Sequence, residues 1–505
     1  MGDVDVLIAG AGPTGLVLAL WLTRFGVKAR IVDKSEAPGT TSRALAVQAR
    51  TLELYRQAGL TDEVLARGHR VGAVNLWVRG ERATRVGFGA VGEGLTPYPF
   101  LHVFPQDAHE QLLIEHLAAA GIEVERGVEL AGFADDGETV RAKLRGPGGG
   151  ESQIAARFIA GCDGAHSVVR HGVGAGFPGG TYRQLFYVAD VDGAGPAFDG
   201  ELHVDLDEAD FLAVFPIGAG RGRLVGAVRD ARADAADSLT FADVSRRAMR
   251  SLKVEVSAVN WFSTYHVHHR VTDRFRGGRA FLVGDAAHIH SPAGGQGMNT
   301  GIGDAINLAW KLAAVLAGRA PDALLDSYEA ERLGFARRLV ATTDRVFTFA
   351  TAEGPVADLL RTRLAPLLAP AAVGLGPVRE FLFRTVSQIT LNYRGSPLSQ
   401  GAAGKVQGGD RLPWAGDNFD SLAEMVWQAH VYGSASPALT NWCAGEGLPL
   451  RVFPWRDGHA VAGLARDALY LMRPDSYVAL ADPGGDPAVA ARYAATRGLT
   501  LGARA

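Results

Sequence analysis

Hydrophobic and polar positions along the chain follow two periods, and the switches between them mark its parts. Val4 to Ala9 is an apolar run of strand length, broken by Gly10-Ala11-Gly12-Pro13-Thr14-Gly15. Leu16 to Leu22 is apolar and helical, and Lys28 to Asp33 reads as a second strand. Ser42 to Tyr55 carries apolar residues at helical spacing, with Ser42 placed to cap that helix. A strand at 100–104 runs into a helix that turns Leu112, Leu113 and Leu117 inward, and further strands follow near 122–128 and 140–144. Ala156 to Cys162 reads as a strand ending at Asp163-Gly164 and opening a helix. From about 186 to 228 the period moves towards two, predicting antiparallel strands at 186–191, 202–206, 211–217 and 223–228. A helix near 242–252 and a strand near 259–269 close this block, which reads as a sheet roofing a pocket. Beyond it come a strand at 279–283, a glycine-rich turn, and a long helix through Ile302, Ile306, Leu308, Ala309, Leu312 and Leu316. A second helix runs from Asp322 past Arg332, and 350–383 is helical with prolines. From about Leu391 the character changes to a small α/β tail with strands at 450–453 and 469–472.

This is an α/β pattern, and 505 residues are too many for one core. It divides into a discontinuous first domain (1–175 and 270–390), an antiparallel-sheet domain (176–269) and a C-terminal domain (391–505). The formal net charge of -3 gives no reason to expect nucleic acid or an anionic membrane as partner. No stretch is long and uncharged enough to span a bilayer, and Asp3 and Asp5 stand where a secretory leader would be basic. Two cysteines, Cys162 and Cys443, cannot build a disulfide framework or a metal knuckle, which points to a reducing cytoplasm.

The first glycine turn carries chemistry. Gly10 allows the tight turn, Gly12 lets a pyrophosphate approach bare backbone, and Gly15 lets helix and strand pack closely. The helix N-terminus offers N–H groups and positive dipole to that phosphate. Asp33, 18 residues after Gly15, ends the second strand where a carboxylate can accept bonds from ribose hydroxyls, with Lys34 beside it. A second match, Gly174-Ala175-Gly176-Phe177-Pro178-Gly179, opens no helix and reads as a loop between domains.

Three motifs stand in order: GAGPTG at 10–15, CDGAHSVVR at 162–170 and FLVGDAAHIHSPAGGQGMNTGIGDAINLAWKL at 281–312. Together they resemble the para-hydroxybenzoate hydroxylase family of single-component FAD monooxygenases, over essentially the whole chain. RPDSYVAL at 473–480 resembles the thioredoxin-like C-terminal domain of the family's aromatic polyketide and phenol hydroxylase branch. The resemblance implies a Rossmann-like FAD-binding domain, a substrate-binding β-sheet domain and a thioredoxin-like domain. It implies FAD contacts at Gly10, Ala11, Gly12, Pro13, Thr14, Gly15, Asp33, Lys34, Arg43, Gln106, Val128, Asp163, Gly164, Gly284, Asp285, Pro292, Gly295, Gly297, Met298 and Asn299. Asp163-Gly164 is associated with both FAD and NAD(P)H, Arg43 with nucleotide phosphates, and Pro292 with the reactive flavin carbon and the substrate cavity. The helix starting near Asn299 puts its positive end by the flavin edge where reduction builds negative charge.

The implied reaction is hydroxylation of a phenolic, polycyclic polyketide-type substrate with NAD(P)H and O2, through a flavin C4a-hydroperoxide. No nucleophilic side chain is required, so no catalytic residue is assigned; the protein supplies a dry, orienting pocket. The same fold also admits Baeyer–Villiger or epoxidising chemistry, and a non-catalytic flavin module. A flavin halogenase would carry a Gly-Trp-x-Trp-x-Ile-Pro stretch, which this sequence lacks. Tyr187, His203, Phe215 and Pro292 are the candidate pocket residues; Phe211 reads better as core. His266, His268, His269, His288 and His290 lack the partners a metal site needs and read as polar rim residues, one of them a candidate base. The tail has no Cys-x-x-Cys, so it packs, caps or forms a homodimer rather than doing thiol chemistry.

Overall fold

The computed structural model describes residues 4–40, 44–78, 80–205, 211–228, 239–244, 246–291, 295–351 and 376–502. Arg43, Pro292 and the helix expected through 352–375 lie outside the described residues.

The chain opens with β1 (Val4–Ala9), α1 (Pro13–Arg24), β2 (Ala29–Asp33) and α2 (Ala49–Gln57). A hairpin follows, β3 (Ala73–Val78) and β4 (Glu81–Gly87). Next come β5 (Glu151–Gly161) and α3 (Val168–Gly172), then β6 (Gly179–Ala194), β7 (Leu202–Asp205), β8 (Leu212–Gly218), β9 (Arg221–Val228) and β10 (Glu255–Val271). The chain returns through β11 (Ala280–Leu282), β12 (His288–Ile289), α4 (Gly297–Leu316) and α5 (Asp326–Thr351). The last stretch holds β13 (Gln400–Ala403), β14 (Gln428–Tyr432), α6 (Pro437–Glu446), β15 (Leu450–Phe453), β16 (Leu469–Met472), β17 (Val478–Asp482) and α7 (Pro487–Arg497).

In the first sheet β1 lies between β5 and β2, parallel to both, with Ile8 beside Ala160 on one side and Ile31 on the other. β11 extends it in parallel past β5, although it lies more than a hundred residues later in the chain. Strands flanked on both sides need apolar faces in both directions, which the near-continuous run Val6–Ala9 supplies. α1 is likewise buried from Gly15 to Leu22 because it is covered by the sheet on one side and α4 on the other.

The second sheet runs β12-β10-β6-β9-β8-β7-β3-β4. The expected antiparallel pairings among 186–269 are present, with Phe186 opposite both Tyr265 and Ala227. Its far edge is built differently. β7 pairs in parallel with β3, Leu202 beside Val74, and the hairpin 73–87 completes the sheet from an earlier part of the chain. That hairpin has an open, polar β4, so its hydrophobic alternation is carried by β3 alone. At the other edge β12 pairs with β10, fastening this sheet to the segment that leads into α4.

The last sheet has the order β15-β14-β16-β17-β13, followed at the edge by the short strand Val406–Gln407, with β14 parallel to β15, and antiparallel contacts from β14 to β16 and β16 to β17. The connections read β-α-β, then β-β-α. One of its faces packs with Trp310, Ala320 and Leu324 of the first part of the chain into a shared core.

Candidate cofactor and substrate site

The C-terminal ends of β1, β5 and β11 and the N-termini of α1 and α4 meet at one place. Gly10 has φ +101°, and a Cβ there would lie 2.2 Å from the Cys162 carbonyl oxygen. At Gly15 a Cβ would lie 2.0 Å from the Gly10 carbonyl oxygen. At Gly12 it would meet no atom within 4 Å. Two of the three glycines are therefore demanded by the protein's own packing, and the middle one faces an open cradle that a side chain would fill. Thr14 ties the turn to the later segments: Cβ atoms added to Gly284 or Gly301 would lie 2.7 Å and 2.3 Å from its Oγ1.

Asp33 is tied to this turn. Its Oδ2 accepts the Ala11 N–H at 2.6 Å, its Oδ1 accepts the Ser35 N–H at 2.8 Å, and its carbonyl accepts the Val128 N–H at 2.9 Å. Lys34 next to it is exposed. Gln106 donates through its backbone to the Ala44 carbonyl and through its side chain to Glu110, which fixes the segment 44–47 beside the cleft.

Asp163 caps α3 by accepting the Val168 and Val169 N–H groups on Oδ2, at 2.7 and 3.3 Å. Its Oδ1 is buried without a partner among the described residues, and Gly164, at φ +75°, faces open space. Asp285 opens on the cleft and is enclosed by chain on its other sides; that enclosure raises its carboxyl pKa, with nearby His288 opposing. Gly295 has φ +61° and lies against Ala46, Gly297 lies beside His290, and Met298 is half-buried against the main core. Burial pushes the His290 imidazole down to about 4, so it is neutral at physiological pH.

Three residues take up different work from that expected. The Asn299 side chain is fully used within the protein: Oδ1 accepts from the Gln48 N–H and the Thr51 hydroxyl, and Nδ2 donates to the carbonyls of Ala46 and Gly295. It clips 46–51 to the start of α4, leaving only its backbone for a ligand. His288 is 1% exposed, not a rim residue; its Nε2 lies 2.6 Å from Oδ2 of Asp304 in α4. His203 is also internal, accepting the Trp77 indole N–H on Nδ1 and donating from Nε2 to Asp199.

The two faces of the second sheet are distinct. Leu185, Tyr187, Ala189, Leu212, Val214 and Leu224 pack against the helix 247–251. Tyr187 stacks on Phe262 in this core, and His203 pairs opposite Val214 on the same face. Both point away from the glycine turns, because a strand sends alternate side chains to opposite sides. Val188, Ala213, Phe215, Val225 and Trp261 occupy the other face, together with Leu45 and Ala46 of the cleft. Phe211, Phe215, Ile217, Trp261 and Tyr265 remain only partly covered there. Within this face Arg223 grips Asp190 through Nε and Nη2, at 2.6 and 2.7 Å, and lies under the Trp261 ring. Arg223 and Asp190 had no sequence signal beyond alternation. Asp304, Asn307 and Lys311 did: their spacing by three and four puts them on one face of α4.

Residues 3–343 match the model of the FAD-binding domain family. The chain belongs to this family of FAD-dependent aromatic hydroxylases. It is 40% identical over 418 residues to a 6-methylpretetramide 4-monooxygenase from Streptomyces rimosus, covering 79% of this chain and 71% of that one. It is 32% identical to a flavin-dependent monooxygenase from Mycobacteroides abscessus, over 95% of this chain and 98% of the relative. Among solved structures, an anhydrotetracycline hydroxylase from Streptomyces rimosus superposes with a TM-score of 0.79 at 28% identity, covering 99% of this chain and all of the other.

The chain is an FAD-dependent monooxygenase, and its residues fit the cofactor. The open backbone at Gly12, the unpartnered Asp163 Oδ1 and the cleft-facing Asp285 are unexplained by folding alone and are supplied with a role by a bound dinucleotide. Among the described residues no group of three or more His, Cys, Asp or Glu could hold a metal, and no helix is long and apolar enough to cross a membrane.

Proposed function

We propose that this monooxygenase hydroxylates a phenolic, polycyclic polyketide-type aromatic, using NAD(P)H and O2. The half-covered aromatic face of Phe211, Phe215, Ile217, Trp261 and Tyr265, turned to the same side as Leu45 and Ala46, carries this reading. A flat, fused-ring substrate fits such a face better than a small polar one does. The relatives act on tetracycline-type intermediates by their names, which supports the same substrate class here.

FAD, reduced by NAD(P)H, supplies the oxygen activation in this chemistry. The chain's own residues hold and shield. Ala11 to Gly15 and Asp33 bind the adenosine end, Asp285 the ribityl hydroxyls, and the backbone of 295–299 the flavin ring. The aromatic face keeps water out and lays the substrate flat. Arg223, 2% exposed and held by Asp190 and the Ala44 carbonyl, braces that face from within and ties it to the segment beside the cleft. In this reading 1–175 with 270–390, apart from the 73–87 hairpin, form the cofactor domain, 176–269 together with that hairpin the substrate sheet, and 391–505 a thioredoxin-like unit, as the β-α-β, β-β-α order of its strands supports.

Screening phenols and quinones for compounds that accelerate NAD(P)H consumption tests the proposal. Polycyclic phenols that emerge with one oxygen atom added at an aromatic carbon support it. Ring expansion or epoxide products would instead assign the alternative oxygenations, and turnover confined to single-ring phenols would overturn the substrate class.

A further inference from the structure

The last part of the chain reaches the cofactor site through side chains that the flavin chemistry does not use. Glu331 of α5 is the hub. It accepts Arg473 on both oxygens, at 2.7 and 3.0 Å, and also Lys311, Asn307 and the Ser396 hydroxyl. Arg473 also grips Asp475, whose Oδ2 accepts the Trp310 indole N–H at 3.0 Å. Glu331, Lys311, Arg473 and Asp475 are 0–2% exposed at their side chains. Burial alone would push Glu331 up; Arg473 and Lys311 outweigh it and hold the carboxylate well below the usual range.

The next residue carries the connection onward. Arg332 donates from Nη1 to the Tyr393 hydroxyl at 2.9 Å, from Nη2 to the Thr300 carbonyl at 3.0 Å, and from Nε to Asp304 Oδ1 at 2.5 Å. The other oxygen of Asp304 accepts the Gly284 N–H at 3.1 Å and lies against His288. Gly284 begins the turn that presents Asp285, and Thr300 lies in the first turn of α4. Tyr393 in turn packs against Tyr477 of the RPDSYVAL segment, ring centres 4.3 Å apart and tilted by 39°, with the Arg473 guanidinium over both rings.

We propose that Arg332, Asp304 and Tyr393 are positioning residues for FAD, and that the C-terminal unit sets flavin affinity through them. Each bond in the relay fixes a group whose other end touches the cofactor turn or α4, so loosening Tyr393 loosens Arg332, Asp304 and Gly284 in sequence. The 473–480 motif is part of the cofactor site's support and not an appendage. This rests on the assignment of the 284–299 segment to FAD.

Full-length deflavinated protein, titrated with FAD and followed by quenching of flavin fluorescence, gives the test, together with thermal unfolding and the visible spectrum of the reconstituted form. Tyr393→Phe removes one hydroxyl and should weaken FAD about five- to tenfold and shift the visible flavin band. Asp304→Asn should weaken it further. Gln57→Ala breaks different contacts between the same parts of the chain, to the carbonyls of Leu422 and Pro474, and should lower the unfolding temperature without changing affinity or spectrum. Tyr393→Phe binding FAD within twofold of the parent with an unmoved band would overturn the proposal, as would an equal loss in Gln57→Ala. If Asp304→Asn does not fold, Tyr393→Phe decides alone. A parent that takes up no FAD would instead remove the site assignment itself.

Discussion

Of the three glycines in the first turn, two are closed in by the chain and one is not, which separates folding from binding at single positions. Gly10→Ala and Gly15→Ala place a methyl group 2.2 and 2.0 Å from a carbonyl oxygen and should cost about 2 kcal/mol or more in stability. The Cβ of Gly12→Val meets no protein atom within 4 Å, so the apoprotein should unfold at a nearly unchanged temperature while FAD uptake is abolished. Flavin titration and circular-dichroism melting of the three variants check this; a Gly12→Val protein that still turns yellow contradicts it. Asp285 shows the opposite trade. Enclosure raises its carboxyl pKa in the folded chain. Such a group favours the fold while protonated, an effect complete below the unfolded value near about 3.9 and lost as pH rises through the folded value. Asp285→Asn should therefore raise the melting temperature of the apoprotein at pH 7, with the gain shrinking towards pH 4, and weaken FAD. Melting the deflavinated pair across that range checks the sign; a gain that does not vary with pH would refute the assignment.

At the scale of elements, β6 and β8 show how much a strand's parity decides. Tyr187 is 2% exposed among Leu185, Trp77 and Phe262, so Tyr187→Ala should cost about 3–5 kcal/mol in urea unfolding. Phe215→Ala, on the half-open face, should cost far less and raise the substrate KM. Reversed outcomes would put the pocket on the wrong side of the sheet. The strands themselves were legible because period two survives in sequence, and so was the first glycine turn, whose flanking apolar runs are local. Which face meets the cleft was not, since both faces of β8 are apolar: Leu212 and Val214 against Ala213 and Phe215. The 73–87 hairpin was missed because its pairing partner lies more than a hundred residues away and β4 is too polar to advertise itself. The resemblance and the helix start near Asn299 mark it as a cofactor contact; only tertiary structure shows four bonds already consuming its side chain.

Across the whole molecule, the polar stripe of α4 binds two parts of the chain that sequence alone treats as separable. Removing the tail therefore bears on both stability and flavin binding. The structure predicts damage to both, because Lys311 and Glu331 lose Arg473 inside the fold while Arg332 loses Tyr393. All of these connections end on one cleft, which the proposed site assignment gives to a full dinucleotide. In the site assignment proposed above, the glycine turn and Asp33 serve its adenosine end, and Asp285 with the start of α4 its flavin end. Calorimetric titration of the deflavinated chain with FAD and, separately, with FMN tests that claim most directly. One FAD per chain, bound far more tightly than FMN, is the predicted result; equal affinity for FMN, or no saturable uptake of FAD, would contradict it.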